Sequence, residues 1–160
     1  MMTATGKMIC SWCRPLLWGM VALNGLACGI SQREPATPGD DFTIIWGTGG
    51  GFTGFADGFI LHSDGKMERW SGQYFRREKI RPLGVIDTAH LDSLRRTLAR
   101  HDLRDLHYQE TGNLTTRMWC IIRTDTTIFS WNGVEPGAEV PAAIREVYSS
   151  LTRAAAAQQH

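Results

Sequence analysis

The sequence predicts an α+β fold: an antiparallel sheet of about four to five strands packed against two helices. Three observations carry this. Apolar and polar residues alternate in "DFTIIW", with Phe42, Ile44 and Trp46 set against Thr43 and Ile45, the pattern of a half-buried strand rich in β-branched residues. Asp64-Gly65 lies between two such runs in "FILHSDGKMERW" and marks a hairpin turn. Helical spacing of apolar residues appears only twice, once near the middle and once near the end. Strands joined by short turns, interrupted by two helices, give one sheet and one helical layer.

The elements follow in order. After the strand at Phe42 comes the stretch Gly47 to Gly58, "GTGGGFTGFADG", and then the hairpin turning at Ser63-Asp64-Gly65. "QYFRREKIRPLGVI" holds another extended piece, and Pro82 places its pairing at an edge or end. In "DTAHLDSLRRTLARHDLRDL", Leu91, Leu94 and Leu98 form a stripe, Asp87 or Thr88 caps it, and Arg95, Arg96 and Arg100 face out. Leu103 and Leu106 continue the packing through a turn. "TRMWCIIR", the turn "TDTT" and "IFSWNG" make a second hairpin. "VPAAIREVYSSL" places Val140, Ile144, Val147, Tyr148 and Leu151 on one face, with Pro141 in the first turn.

The folded domain is therefore expected over 42–152, with a disordered tail at 153–160. The first 27 residues read as an export signal. Lys7 and Arg14 precede an apolar stretch from Pro15 to Ala27 that contains no acid, too short for the roughly 20 residues that span a bilayer. "LNGLAC" resembles the lipobox of bacterial lipoproteins, with Gly25 where that pattern favours leucine, and it makes Cys28 the lipidation site. Residues 28–41, polar with two prolines, form a flexible tether. The expected location is the cell envelope, held to a bacterial membrane through the lipid on Cys28.

Cleavage before Cys28 removes Lys7 and Arg14 and leaves 15 basic against 16 acidic residues. A chain so close to neutral has no basic field for nucleic acid. Cys10 and Cys13 form "CSWC" inside the export segment, with no strand before it to build a redox site. Cys120, within "RMWCII", reads as a small buried hydrophobe.

The glycine stretch raises the main functional question. Gly49-Gly50-Gly51-Phe52-Thr53-Gly54 satisfies G-x-G-x-x-G after a strand, but a phosphate cradle needs a helix to begin at once, and "FADGFILH" shows strand alternation instead. A Walker loop needs a terminal lysine and hydroxyl, which are lacking. Two readings stay open. In one, the glycines close a wide hairpin connection with Phe52 and Phe55 folded onto the core. In the other, they form an exposed recognition loop presenting Phe52 and Thr53.

No catalytic or metal-binding set emerges. The histidines at 62, 90, 101, 107 and 160 lack zinc-ligand spacing. His62-Ser63-Asp64 holds the residue types of a hydrolase triad, but neighbours across a turn cannot align as nucleophile, base and orienter. "RREK", residues 76–79, reads as a solvated edge. Trp46, Trp70, Trp119 and Trp131 all fall on strands, more than a small core needs, so one or two are expected in an interface. The chain is read as neither an enzyme nor a cofactor binder.

"GGGFTGFADGFILHSDGKMERW" resembles the Gly-Gly-Phe-x-Gly strand pair ending in an Asp-Gly turn, and "IDTAHLDSLRRTLARHDLRDL" the leucine-striped helix after it, of the emfourins. These are small proteinaceous inhibitors of thermolysin-like metalloproteases. The resemblance runs from Phe42 to Leu151 and implies stoichiometric inhibition. It makes Gly49, Gly50, Gly51, Phe52, Thr53, Gly54 and Phe55 the partner-binding segment, with a neighbouring strand edge alongside. The alternative expectation is an envelope lipoprotein module that binds a protein partner without inhibiting or catalysing.

Overall fold

The computed structural model describes residues 41–158. The export segment, Cys28 and nearly all of the tether lie outside the described residues. Ten elements follow one another: β1 (Phe42–Gly50), β2 (Phe55–His62), β3 (Lys66–Gln73), β4 (Lys79–Val85), α1 (Thr88–Arg100), a 3-10 turn (Leu103–Asp105), β5 (Tyr108–Gln109), β6 (Leu114–Ile122), β7 (Asp125–Asn132) and α2 (Ala142–Ala157). The strands form one sheet in the order β4-β3-β2-β1-β6-β7-β5. The α+β class is as expected, but the expectation of four to five antiparallel strands is too low. The sheet has seven strands, and it is mixed because β5 runs parallel to β7 through Tyr108 and Gln109.

β1 is the middle strand. It pairs with β2 from Thr43↔His62 to Gly49↔Ala56, and with β6 from Phe42↔Ile122 to Gly50↔Leu114. Its two-residue period sends Phe42, Ile44 and Trp46 to one face, where they meet Leu61, Met67, Met118, Cys120, Ile122, Phe129 and Trp131. Both helices cover this face. Leu91, Leu94 and Leu98 descend from α1, and Ile144, Val147, Tyr148 and Leu151 from α2. Asp87 caps α1 by accepting from the His90 backbone N–H at 2.9 Å.

Three details depart from the sequence reading. The segment expected as a disordered tail at 153–160 continues α2 through Ala157, and Ala154 and Ala155 are buried against the core. The turn expected at "TDTT" lies earlier, at Arg123 and Thr124, and Arg123 takes a positive φ of 55°. The outer sheet face, free of helices among the described residues, also carries an apolar cluster: Ile45, Ala56, Ile60 and Trp70, with Phe75, Trp119 and Ile121 packed on it.

The strand tryptophans divide between the two clusters, Trp46 and Trp131 under the helices and Trp70 and Trp119 on the outer face. Trp46, Trp70 and Trp131 are fully buried, while Trp119 is half-buried on the outer face. The turn after β3 folds Phe75 over the sheet, with ring centroids 6.2 Å from Trp70 and 5.9 Å from Trp119, and the Arg117 guanidinium sits 4.6 Å above the Phe75 ring. Among the described residues no helix is long and apolar enough to cross a membrane.

Candidate functional site

The glycine stretch closes the β1–β2 hairpin. Gly54 N–H donates to the Gly51 carbonyl at 3.3 Å, which makes Phe52 and Thr53 the central residues of a four-residue turn. The Phe55 N–H donates to the Thr53 hydroxyl at 3.2 Å. No helix follows the turn, since β2 begins at Phe55, so the helix N-terminus on which a dinucleotide cradle relies does not form here.

Two neighbouring segments hold the turn in place. On one side Gly51 N–H donates to the Asn113 carbonyl at 2.6 Å. This approach requires glycine at position 50, where φ is +136° and a Cβ would lie 1.9 Å from the Asn113 oxygen. On the other side Tyr74 N–H donates to the Gly54 carbonyl at 2.6 Å, and a Cβ on Gly54 would lie 2.5 Å from the Tyr74 ring. Tyr74 and Phe75 both adopt positive φ, 50° and 61°, a conformation that costs each non-glycine residue about 1–2 kcal/mol. It points Phe75 into the outer cluster and leaves Tyr74 beside the turn.

Phe52 does not fold onto the core. It is fully exposed, and Phe55 is half-exposed at 52%. Burying a phenylalanine contributes about 1.5–3 kcal/mol, so a turn held by cross-loop hydrogen bonds that leaves Phe52 in water forgoes a large contribution. Tyr74, Leu114 and Val134 are exposed at the same end of the sheet. With Phe52 and Phe55 they are five of the eight exposed large hydrophobic side chains among the described residues.

The expected segment thus splits by role. Gly49 is buried in the strand ladder opposite Ala56 and Thr115, and Gly50 pairs with Leu114. Gly54 is buried under Tyr74. A partner can reach Gly51, Phe52, Thr53 and Phe55. Tyr74 and Leu114 join them without having been read from the sequence, because two consecutive aromatics with positive φ leave no sequence signal. Compared with known proteins, the chain matches no family model and no curated sequence. The site's chemistry therefore rests on its own residues.

Those residues include no reactive set. Among the described residues no group of three or more His, Cys, Asp or Glu is placed to hold a metal. His62 pairs with Glu68 at 3.3 Å, His101 with Glu146 at 2.8 Å, and His90 with Asp87. Burial pushes the Cys120 thiol up to about 12, so it stays protonated. The Tyr108 phenol rises to about 12 chiefly because it donates to Glu110. Burial, with Glu135 adding to it, raises Tyr148 to about 12, and its hydroxyl donates to the Val134 carbonyl at 2.9 Å.

Proposed function

We propose that the protein is an exported, lipid-anchored binding module that seats the Gly51–Gly54 turn in a cleft of a protein partner. By its resemblance to the emfourins, the first target is a thermolysin-like metalloprotease, blocked stoichiometrically. The observation that carries the reading is Phe52, fully exposed on a turn whose backbone is fixed by hydrogen bonds from two other segments. An aromatic anchor on a pre-ordered loop contributes affinity because little ordering entropy is lost on docking.

The direction of β1 supports the same reading. Asp41 stands at one end of the strand and the turn at the other, about 30 Å away at 3.3 Å per residue. A domain held to a membrane on the side of Asp41 presents Phe52 away from it.

The test is titration of the purified protein into a thermolysin-like protease cleaving a fluorogenic peptide. The expected result is loss of activity at one equivalent, with Phe52→Ala weakening inhibition roughly tenfold or more. Flat activity at micromolar excess over several such proteases removes the inhibitor reading. An unchanged inhibition constant for Phe52→Ala removes the turn from it.

A further inference from the structure

The chain is nearly neutral, at +1, yet five basic side chains gather along one margin of the sheet. Arg69 lies on β3, Arg76 and Arg77 in the turn that follows, and Lys79 and Arg81 on β4, with the exposed Glu78 as one acid among them. Arg69 and Arg81 stand directly opposite each other, with Ser71 opposite Lys79 beside them. Like charges facing across strands are destabilising. Asp57 relieves Arg69 through an ion pair of 2.9 Å, whereas Arg76, Arg77, Lys79 and Arg81 form no ion pair among the described residues.

The margin is also concave and open. One hollow of about 450 Å³ is lined by Arg69, Lys79 and Arg81 together with Asp57, Phe55 and Ile80, and a second of about 420 Å³ by Arg69, Arg81, Pro82, Leu83 and Gln158; Asp57 is engaged by Arg69, which leaves Lys79 and Arg81 as the open charges. The two share Arg69 and Arg81 as lining residues. Among the described residues β4 is the last strand of the sheet and pairs with no strand beyond it. All its residues but Leu83 are exposed. The pairing of β3 with β4 shifts register between Met67 and Glu68, and Pro82 cannot donate to a ladder.

The basic side chains turn away a second copy of the same edge, because two β4 strands side by side would set Lys79 and Arg81 against like charges, while Pro82 leaves one donor position of any added ladder unfilled. The same repulsion selects an occupant of opposite charge. We propose that the β4 edge receives an extended acidic segment of a protein partner, which adds as a further strand beside Lys79–Leu83 and sets its carboxylates against Arg81 and Lys79. Main-chain pairing supplies the alignment and the basic margin the selectivity. This surface borders the candidate site at Phe55 but does not include Phe52, and it does not depend on the inhibitor reading.

The test is fluorescence anisotropy of a labelled peptide of alternating glutamate and valine, as long as the seven-residue β4, titrated with the whole protein at about 0.15 M salt. Saturable binding is expected. It should weaken about tenfold in Arg81→Glu and in Lys79→Glu, both exposed positions, and near-ultraviolet circular dichroism checks that each variant is folded. Methylating alternate peptide nitrogens should abolish binding by blocking the ladder, and Phe52→Ala should leave it unchanged. Equal binding of the methylated peptide would reduce the site to charge attraction and overturn the proposal. So would binding to phosphatidylglycerol vesicles without binding to the peptide, which would assign the patch to a membrane surface.

Discussion

Replacing Gly50 with alanine tests whether the turn is held as described. At φ +136° the backbone lies where side chains are essentially excluded, which costs about 1–3 kcal/mol. The new Cβ, 1.9 Å from the Asn113 oxygen, forces the two segments apart. That forfeits the 2.6 Å hydrogen bond from Gly51 to Asn113, a further loss of about 1 kcal/mol. The expected destabilisation is about 2–4 kcal/mol. Gly51→Ala is the internal control. Its φ of +68° is left-handed, but nothing lies within 4 Å of an added Cβ, so the cost is about 1–2 kcal/mol. Urea unfolding followed by fluorescence of the buried tryptophans reads both variants from the midpoint at constant slope. Equal costs within about 0.5 kcal/mol, or Gly51→Ala the worse, would refute the close approach to Asn113.

Two further predictions concern titrating groups. Cys120, buried with its thiol pushed up to about 12, should remain unlabelled by a thiol reagent near pH 8, where exposed thiols react, until denaturant is added; peptide mapping by mass spectrometry isolates it from Cys10, Cys13 and Cys28. Prompt labelling in the native protein would show that the β6 core opens. Glu146 is held below its ordinary 4.5, first by the hydrogen bond from His101 and then by the nearby Arg100. A lowered folded-state value contributes stability above pH 4.5 that is lost as pH falls through it, so wild type should exceed Glu146→Gln in melting temperature near pH 6 and lose the difference on acidification. A difference that does not change with pH would show that the carboxylate charge is not what links α1 to α2.

Local signals made most of the fold legible. The Asp64-Gly65 turn, the Asp87 cap, the leucine stripe of α1 and the placement of Pro82 on an edge depend on residues within a few positions of one another. The strand count fell short where such signals are weak. β4 reads as an extended piece with its pairing at an edge, whereas the two residues of β5 are too few to show any period. The end of α2 was missed because alanine looks the same in a frayed end as in a close contact with the core. At the site, the glycines marked where the chain turns, but the exposure of Phe52 depends on Asn113 and Tyr74, far away in sequence.

The position of β1 also decides how the domain bears force. A pull between Asp41 and the turn at 51–54 runs along the axis of the central strand. The ladders to β2 and β6 flank β1 on both sides, so their hydrogen bonds are loaded together in shear instead of being unzipped singly from an edge. Under the proposed anchoring, a partner gripping the turn would load β1 along its own axis, against both flanking ladders at once.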